Sequence, residues 1–241
     1  MTTVSVVMPA FNEEEGIESF LTEMASALDT FSVRFIVVDD KSTDQTAATL
    51  DALSLAGFPV AYETNPVNSG HGPSTLRALE LGLESLADIV VAIDGDGQFI
   101  GSDVCRLVVQ SDNGRFDVVE GVRQYRNDPL YRRATSLATR MLVRQRAKSR
   151  PADANTPLRV YRRPALERLL PLIPKGSMVP NLHMSVETRR LGFKLLESPV
   201  RSQPRRGASV VGSSWGRGSL LPSKRFMKFT RGALAEWFAK R

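Results

Sequence analysis

Four short apolar runs rich in β-branched residues, Val4 to Met8, Val33 to Val38, Phe58 to Tyr62 and Ile89 to Ile93, punctuate the first hundred residues. Segments of helical character separate them. One runs from about Glu13 to Leu28 and opens on acidic residues, one ends near Leu55, and one enters through Asn68-Ser69-Gly70-His71-Gly72 and continues to about Leu86. Ser42-Thr43-Asp44-Gln45 has the spacing of a capping box, which makes Ser42 the predicted N-cap of the second helix. Continuous apolar runs are the pattern of strands buried on both faces, and their alternation with helices predicts a largely parallel sheet covered on both sides. Ligands of such sheets sit beyond the carboxyl ends of the strands. Pro9–Glu13, Asp39-Asp40, Asn68–Gly72 and Asp94–Gln98 all fall there.

The last run ends in Asp94-Gly95-Asp96-Gly97-Gln98, a pair of carboxylates spaced by glycine and followed by a carboxamide. Alternation at a strand end puts Asp94 and Asp96 on one side, and glycine lets a bulky ligand approach the backbone. Carboxylates this close repel each other and call for a cation. An oxygen-only set selects a hard ion, Mg²⁺ or Mn²⁺, bound together with substrate phosphates. An isolated Asp-x-Asp is more often a solvated acidic turn; its place among several strand-end motifs is what argues for a metal. The chain has no Walker-type loop, so phosphate binding must rest on the metal and on arginines.

The net charge of +6 conceals a division: residues 1–119 carry 5 basic and 19 acidic side chains, net −14, whereas residues 120–241 carry 27 basic and 7 acidic, net +20. An acidic half suited to a cation is joined to a basic half suited to phosphates, an anionic membrane surface or nucleic acid. The single cysteine, Cys105, excludes an internal disulfide and a cysteine zinc site. The N-terminus lacks the pattern of a signal peptide, and no run reaches the ~20 apolar residues of a membrane span, so the expected location is cytoplasmic. His71 and His183 have no partners at metal-ligand spacing and are read as structural.

Val7-Met8-Pro9-Ala10-Phe11-Asn12-Glu13-Glu14, Val37-Val38-Asp39-Asp40-Lys41-Ser42-Thr43-Asp44, Asn68-Ser69-Gly70 and Asp94–Gln98, in this order and spacing, resemble the nucleotide-binding half of family 2 glycosyltransferases with the GT-A fold. The resemblance is closest to the polyprenyl-phosphate glycosyltransferases, among them the dolichyl-phosphate mannose synthases. It implies an α/β, Rossmann-like, mostly parallel sheet with helices on both faces. The implied reaction is inverting transfer of a sugar from a GDP- or UDP-sugar to a polyprenyl or dolichyl phosphate. Pro9, Phe11, Glu13 and Asp40 would line the nucleoside pocket with Asp39 beside it, and Asp94, Asp96 and Gln98 would hold the metal at the donor diphosphate. Lys41 stands where the family commonly has glycine.

The second half is more basic and less regular. Phe116 to Val119 reads as a strand running into Glu120-Gly121-Val122-Arg123, and a helix is expected from about Leu130 to Gln145. Leu130, Ala134, Leu137, Ala138, Met141 and Leu142 share one face of that helix, with Arg133, Arg140 and Arg144 as a stripe beside it. The Gly-x-Arg together with Arg132 and Ser136 resembles the family's lipid-phosphate segment. By that resemblance Arg123 and Arg132 are the primary ligands of the acceptor phosphate, supported by Arg133 and Ser136; a guanidinium fork suits phosphate oxygens. Asp153–Arg163 resembles the family's Asp-x-x-Ser-Gly-Phe-Arg segment, with Pro157-Leu158 in place of Gly-Phe. Asp153 is either a base or, with more weight, the partner that orients an arginine. A lipid monophosphate, with a second pKa of about 6 by analogy with phosphorylated side chains, attacks without losing a proton. A hydroxyl acceptor calls for a general base. Lys194–Val200 followed by Arg205-Arg206-Gly207-Ala208-Ser209 resembles the family's closing strand and turn, from which Arg205 and Arg206 would reach the diphosphate or the acceptor.

The expected organisation is a catalytic domain over 1–211, with its nucleotide and metal half over 1–119 and its acceptor half over 120–211, then a connector and an amphipathic basic helix over 212–241. Phe226, Phe229, Ala233, Leu234, Trp237 and Phe238 recur at helical spacing among Lys224, Arg225, Lys228, Arg231, Lys240 and Arg241. Such a helix can lie in a membrane interface and hold the enzyme peripherally; the alternatives are packing on its own domain or on a second subunit of a homo-oligomer. Two other functions compete. The same fold could glycosylate a saccharide or small hydroxyl acceptor, with Asp153 as base. A nucleic-acid binder would use the basic half alone and would give no reason for Asp94 and Asp96, so no nucleic-acid partner is expected.

Overall fold

The structure, a computed structural model, describes residues 1–124, 130–207 and 224–239, without the side chains of 130–134 and 224–226. Tyr125–Pro129 and the Gly212–Gly218 connector, with Lys240 and Arg241, lie outside the described residues. The first half follows the predicted alternation: β1 (Thr3–Ala10), α1 (Ile17–Ala27), β2 (Ser32–Asp39), α2 (Thr46–Leu55), β3 (Val60–Thr64), α3 (His71–Glu84) and β4 (Ile89–Ala92). Then come α4 (Gly101–Asp112), β5 (Val118–Gln124), α5 (Leu130–Ala147), β6 (Arg159–Arg162), α6 (Arg163–Leu169), α7 (Pro180–Arg190), β7 (Leu195–Arg201) and α8 (Lys224–Phe238).

Among the described residues the strands form one sheet in the order β3-β2-β1-β4-β6-β5-β7. β1 pairs in parallel with β2 and β4, β2 with β3, and β5 with β7; β6 alone runs antiparallel, between β4 and β5. The reversal at β6 leaves β5 and β7 pointing the same way as β4. The carboxyl ends of β1, β2, β4, β5 and β7 therefore open on one edge, where a ligand site belongs. Side chains alternate across the sheet. Val4, Val6 and Met8 with Phe35, Val37 and Val91 meet α1, α2 and α4 on one face. Val7, Ile36, Val38, Val90 and Ala92 meet α3, α6 and α7 on the other.

Several elements depart from the sequence reading. The capping box at Ser42 does not form: α2 starts at Thr46 without a side-chain cap, because the Ser42 hydroxyl is drawn to Asp39 and Asp44 accepts instead from the Thr46 N–H at 3.0 Å. β6 carries two arginines, which hide it from a hydrophobicity scan. Arg159 is fully buried opposite Glu120, which it meets at 3.5 Å, and Arg189 reaches the other oxygen of Glu120 at 2.8 Å. α5 turns Leu137, Ala138 and Met141 of the expected apolar face outward, while Leu142 of that face packs partly buried with Ala147 beside buried Val143 against α7 and α8.

α8 is amphipathic as expected, but Trp237 does not face a membrane. It is 2 % exposed, stacked on His183 at 5.3 Å between centroids and covered by the Arg146 guanidinium at 4.1 Å. Phe229 and Ala233 pack on the same cluster, so the helix docks on its own domain.

Candidate active site

The β1–α1 and β2–α2 turns are fastened to each other. Asn12, in the left-handed region at φ 55°, donates its N–H to Ser42 Oγ at 3.0 Å, and its side-chain oxygen accepts from the Thr43 N–H at 2.8 Å. The Glu13 N–H donates to Thr46 Oγ1 at 2.8 Å. Asn12, which the sequence reading gave no role, is thus the hinge pin of this corner; its signal was the tolerance of asparagine for a positive φ. Lys41 has φ 63°, a left-handed backbone conformation that glycine adopts without the steric cost an L-residue carries.

Asp39 and Asp40 are buried, and both carboxylates are engaged with the protein. Asp39 accepts from the Ser42 N–H at 3.1 Å and from its hydroxyl. Asp40 receives the N–H groups of Ser69 and Gly70, each at 2.8 Å, and the Asn65 amide at 2.9 Å. Asp40 was expected to accept from a base or ribose; its carboxylate also anchors the β3–α3 loop. Pro9 is buried as well and serves through its carbonyl, which accepts the Gly95 N–H at 3.2 Å. Phe11 is only partly buried.

β4 ends at Ala92, yet the alternation continues into the turn: Asp94, Asp96 and Gln98 are partly exposed, while Ile93, Gly95, Gly97 and Phe99 are buried. The glycines are required. A Cβ on Gly95 would sit 2.9 Å from the Pro9 carbonyl, and Gly97 has φ 69° with the Arg206 side chain where a Cβ would go. Asp96 Oδ1 accepts the Gln98 N–H at 3.1 Å, and the Gln98 amide lies 3.4 Å from the Gln203 carbonyl. Burial, then repulsion from Asp94, pushes the Asp96 carboxyl up to about 6. Glu13 faces the same cluster. Burial pushes it up to about 8, although Arg205 pairs with it, Nε to Oε2 at 3.1 Å.

His71, read from sequence as structural, comes to Asp94: Nε2 lies 3.4 Å from Oδ1, with half the ring exposed. Spacing along the chain gave no sign of this, since the contact joins the start of α3 to the end of β4. His183 is buried and bonded to Glu236 at 2.8 Å, a structural position. Among the described residues no three His, Cys, Asp or Glu side chains converge as a metal cage. Asp94, Asp96 and Gln98, partly exposed along one side of the turn, could contribute oxygens to a hard ion such as Mg²⁺ or Mn²⁺ whose shell would be completed by phosphate oxygens and water.

From the basic half, β5 delivers Arg123 to the same edge of the sheet. Asp153 grips it from two sides, Nε to Oδ2 at 2.8 Å and Nη2 to Oδ1 at 3.2 Å. The orienting reading of Asp153 is therefore the one its geometry supports. Beyond β7 the chain returns to the acidic turn, where the Arg206 N–H donates to the Asp96 carbonyl at 3.0 Å. The Arg206 guanidinium is turned away, paired with Glu23 and lying over Phe20, so of the pair only Arg205 enters the cleft. Ser136 is partly buried on α5, and Arg132 and Arg133 belong to the same helix with side chains outside the description.

Comparison with known proteins agrees with this geometry. Residues 5–170 match the model of glycosyl transferase family 2. An undecaprenyl-phosphate 4-deoxy-4-formamido-L-arabinose transferase of Salmonella choleraesuis is 29% identical over 182 residues, 74% of this chain and 54% of that protein. The chain thus spans about half the length of the curated relatives it matches. In fold it is similar to a mannosyltransferase from Pyrobaculum calidifontis in complex with GDP-Man and Mn²⁺, at TM-score 0.60 and 20% identity over 88% of this chain and 58% of that one. It is also similar to glucosyl-3-phosphoglycerate synthase from Mycobacterium tuberculosis in complex with Mn²⁺ and UDP-glucose, at TM-score 0.59 and 22% identity over 87% of this chain and 73% of that one. The matched span runs from β1 through α6 and takes in every strand-end motif of the acidic half together with Arg123 and Asp153. The architecture is the GT-A fold, and the chain belongs to glycosyl transferase family 2.

Proposed function

We propose that this glycosyltransferase moves a sugar, with inversion, from a nucleotide diphosphate sugar to a polyprenyl phosphate. Its donor is a GDP- or UDP-sugar, and Asp94, Asp96 and Gln98 hold Mg²⁺ or Mn²⁺ at the donor diphosphate. When bound, the ion stabilises the negative charge that develops as the nucleotide leaves, a contribution of several kcal/mol in such sites. Phe11 offers the base an apolar face. Asp39 and Asp40 act indirectly, by fixing the loops that bound the nucleoside. Arg205 meets the diphosphate, and its pairing with Glu13, which lies near Asp94 and Asp96, supports this role.

The observation that carries the acceptor assignment is the Arg123–Asp153 pair on the same sheet edge as Asp94 and Asp96. A carboxylate bound bidentately to a guanidinium is a poor proton acceptor, which disfavours Asp153 as the base a hydroxyl acceptor would need. An aligned arginine suits an acceptor that is already anionic, joined by Arg132, Arg133 and Ser136 of α5. Relatedness to enzymes named for undecaprenyl phosphate supports the same choice.

No helix among the described residues is long and apolar enough to cross a membrane. A lipid phosphate would be met at a surface, the cytoplasmic face of the membrane. Leu137 and Met141 of α5 and Leu234 and Phe238 of α8 are exposed, with Arg144, Lys228 and Arg231 exposed near them in sequence, and these residues supply the peripheral contact. Turnover of nucleotide sugars with a short polyprenyl phosphate tests the proposal, and transfer to hydroxyl acceptors alone would replace it.

A further inference from the structure

The first turn of α3 is held from behind. A Cβ on Gly72 would lie 2.3 Å from the Ser177 carbonyl oxygen and 2.7 Å from the Met178 carbonyl carbon, so the backbone of α3 rests directly on the Ser177–Met178 segment. That segment belongs to the connection before α7 and is fixed from α8. The Glu236 carboxylate accepts from the Ser177 hydroxyl, from the Met178 N–H at 2.7 Å, and pairs with His183 Nε2 at 2.8 Å. Glu236 is itself locked in place, because its neighbour Trp237 is buried under Arg146 and against His183. A rigid path thus leads from the last turns of the chain to the residue beside Gly72, which is His71, 3.4 Å from Asp94.

We propose that Glu236 is a positioning residue for the donor site: through Ser177-Met178 it fixes the first turn of α3 and so holds His71 against Asp94. The proposal rests on the donor reading given above and adds to it that α8 is a working part of the catalytic unit. Glu236 touches neither donor nor acceptor. Its removal frees three hydrogen-bonding groups at once, two of them on the Ser177–Met178 segment against which the α3 backbone at Gly72 is pressed. Coupling carried through a packed network of this kind changes a remote affinity by about twofold to thirtyfold.

The experiment compares Glu236→Ala, Glu236→Gln and Ser177→Ala, each alone and combined with His71→Ala, in the full chain. Dissociation constants of UDP and GDP are measured with Mn²⁺ by calorimetry, with the His71 ring signals followed by NMR in metal-free protein. Glu236→Ala should weaken nucleotide binding about fivefold and shift the His71 signals, Ser177→Ala less so, and Glu236→Gln, whose one amide oxygen can still accept on the Ser177 side while its NH2 replaces the acceptor of the Met178 N–H, should recover part of the loss. Combined with His71→Ala, none should add a further loss. Unchanged His71 signals in a folded Glu236→Ala or Ser177→Ala protein would overturn the positioning role, as would losses that multiply with that of His71→Ala. Failure of the donor reading is told apart by the unaltered protein: it would bind neither nucleotide, while the His71 signals would still report the contact.

Discussion

The main-chain N–H of Arg206 donates to the carbonyl of Asp96 at 3.0 Å, so the segment after β7 is stitched to the turn after β4. The same segment carries Arg205 into the cleft and bonds the Gln203 N–H to Gln98 at 2.9 Å. The basic half therefore closes over the acidic turn instead of lying beside it. Charge separation along the chain becomes charge apposition in space.

Asp96 bears the consequence of that enclosure. Its carboxyl is raised to about 6 by burial and by Asp94, so in the metal-free protein it is an electrostatic burden at pH 8. Asp96→Asn should raise the thermal midpoint of metal-free protein at pH 8 while lowering turnover by about a hundredfold or more. Scanning calorimetry and initial rates check the two together; a variant that is both stable and active would remove Asp96 from the site.

Glu13 gives a pH signature. Its carboxyl titrates near 8 in the folded protein and near 4.5 unfolded, so between those values the folded state binds the extra proton and stability falls as pH rises. The stability difference between wild type and Glu13→Gln should fall from pH 5 to pH 8, with a slope of at most about 1.4 kcal/mol per pH unit. Denaturant titrations across that window measure it, and a flat difference would mean that Arg205 keeps Glu13 ionised throughout.

Arg123 and Asp153 should separate by kinetics. Arg123→Ala is expected to raise the acceptor KM about tenfold or more with little change in donor KM, since it removes a charge-assisted contact to phosphate. Asp153→Asn should produce a milder version of the same change, because the guanidinium loses its alignment. If Asp153 were a base, kcat would instead fall by about a hundredfold or more.

Lys41 has a backbone conformation that costs an L-residue about 1–2 kcal/mol, partly offset by the lower unfolded-state entropy of lysine relative to glycine. Lys41→Gly should stabilise the protein by about 0.5–1 kcal/mol, seen as a thermal midpoint about 1–3 °C higher. An unchanged or lower midpoint would mean that the lysine side chain makes a compensating contact.

The four early strands were legible because each contains a predominantly apolar run, although β3 lies two residues later than the expected Phe58–Tyr62 and is only partly buried, and the motifs at their ends were legible because strand ends are where the chain must turn. β6 was not, since Arg159 and Arg162 break its apolar pattern and Arg159 is admitted to the core only by Glu120, distant in sequence. Asp94 and Asp96 could be read directly, whereas the engagement of Asp40 with Ser69 and Gly70 depends on a loop folding back over it. The contact of His71 with Asp94 escaped, and α8 was legible as an amphipathic helix but its seat was not: Asp94 and the His183–Trp237 cluster are brought to them by tertiary packing and leave no local periodicity.

The central claim is the transfer itself. Purified protein incubated with Mn²⁺, a panel of GDP- and UDP-sugars and a short polyprenyl phosphate should yield one lipid-phosphate sugar by mass spectrometry, lost in Asp96→Ala and sharply reduced in Arg123→Ala. Sugar appearing only on hydroxyl acceptors, or a lipid product that persists in Asp96→Ala, would contradict the account.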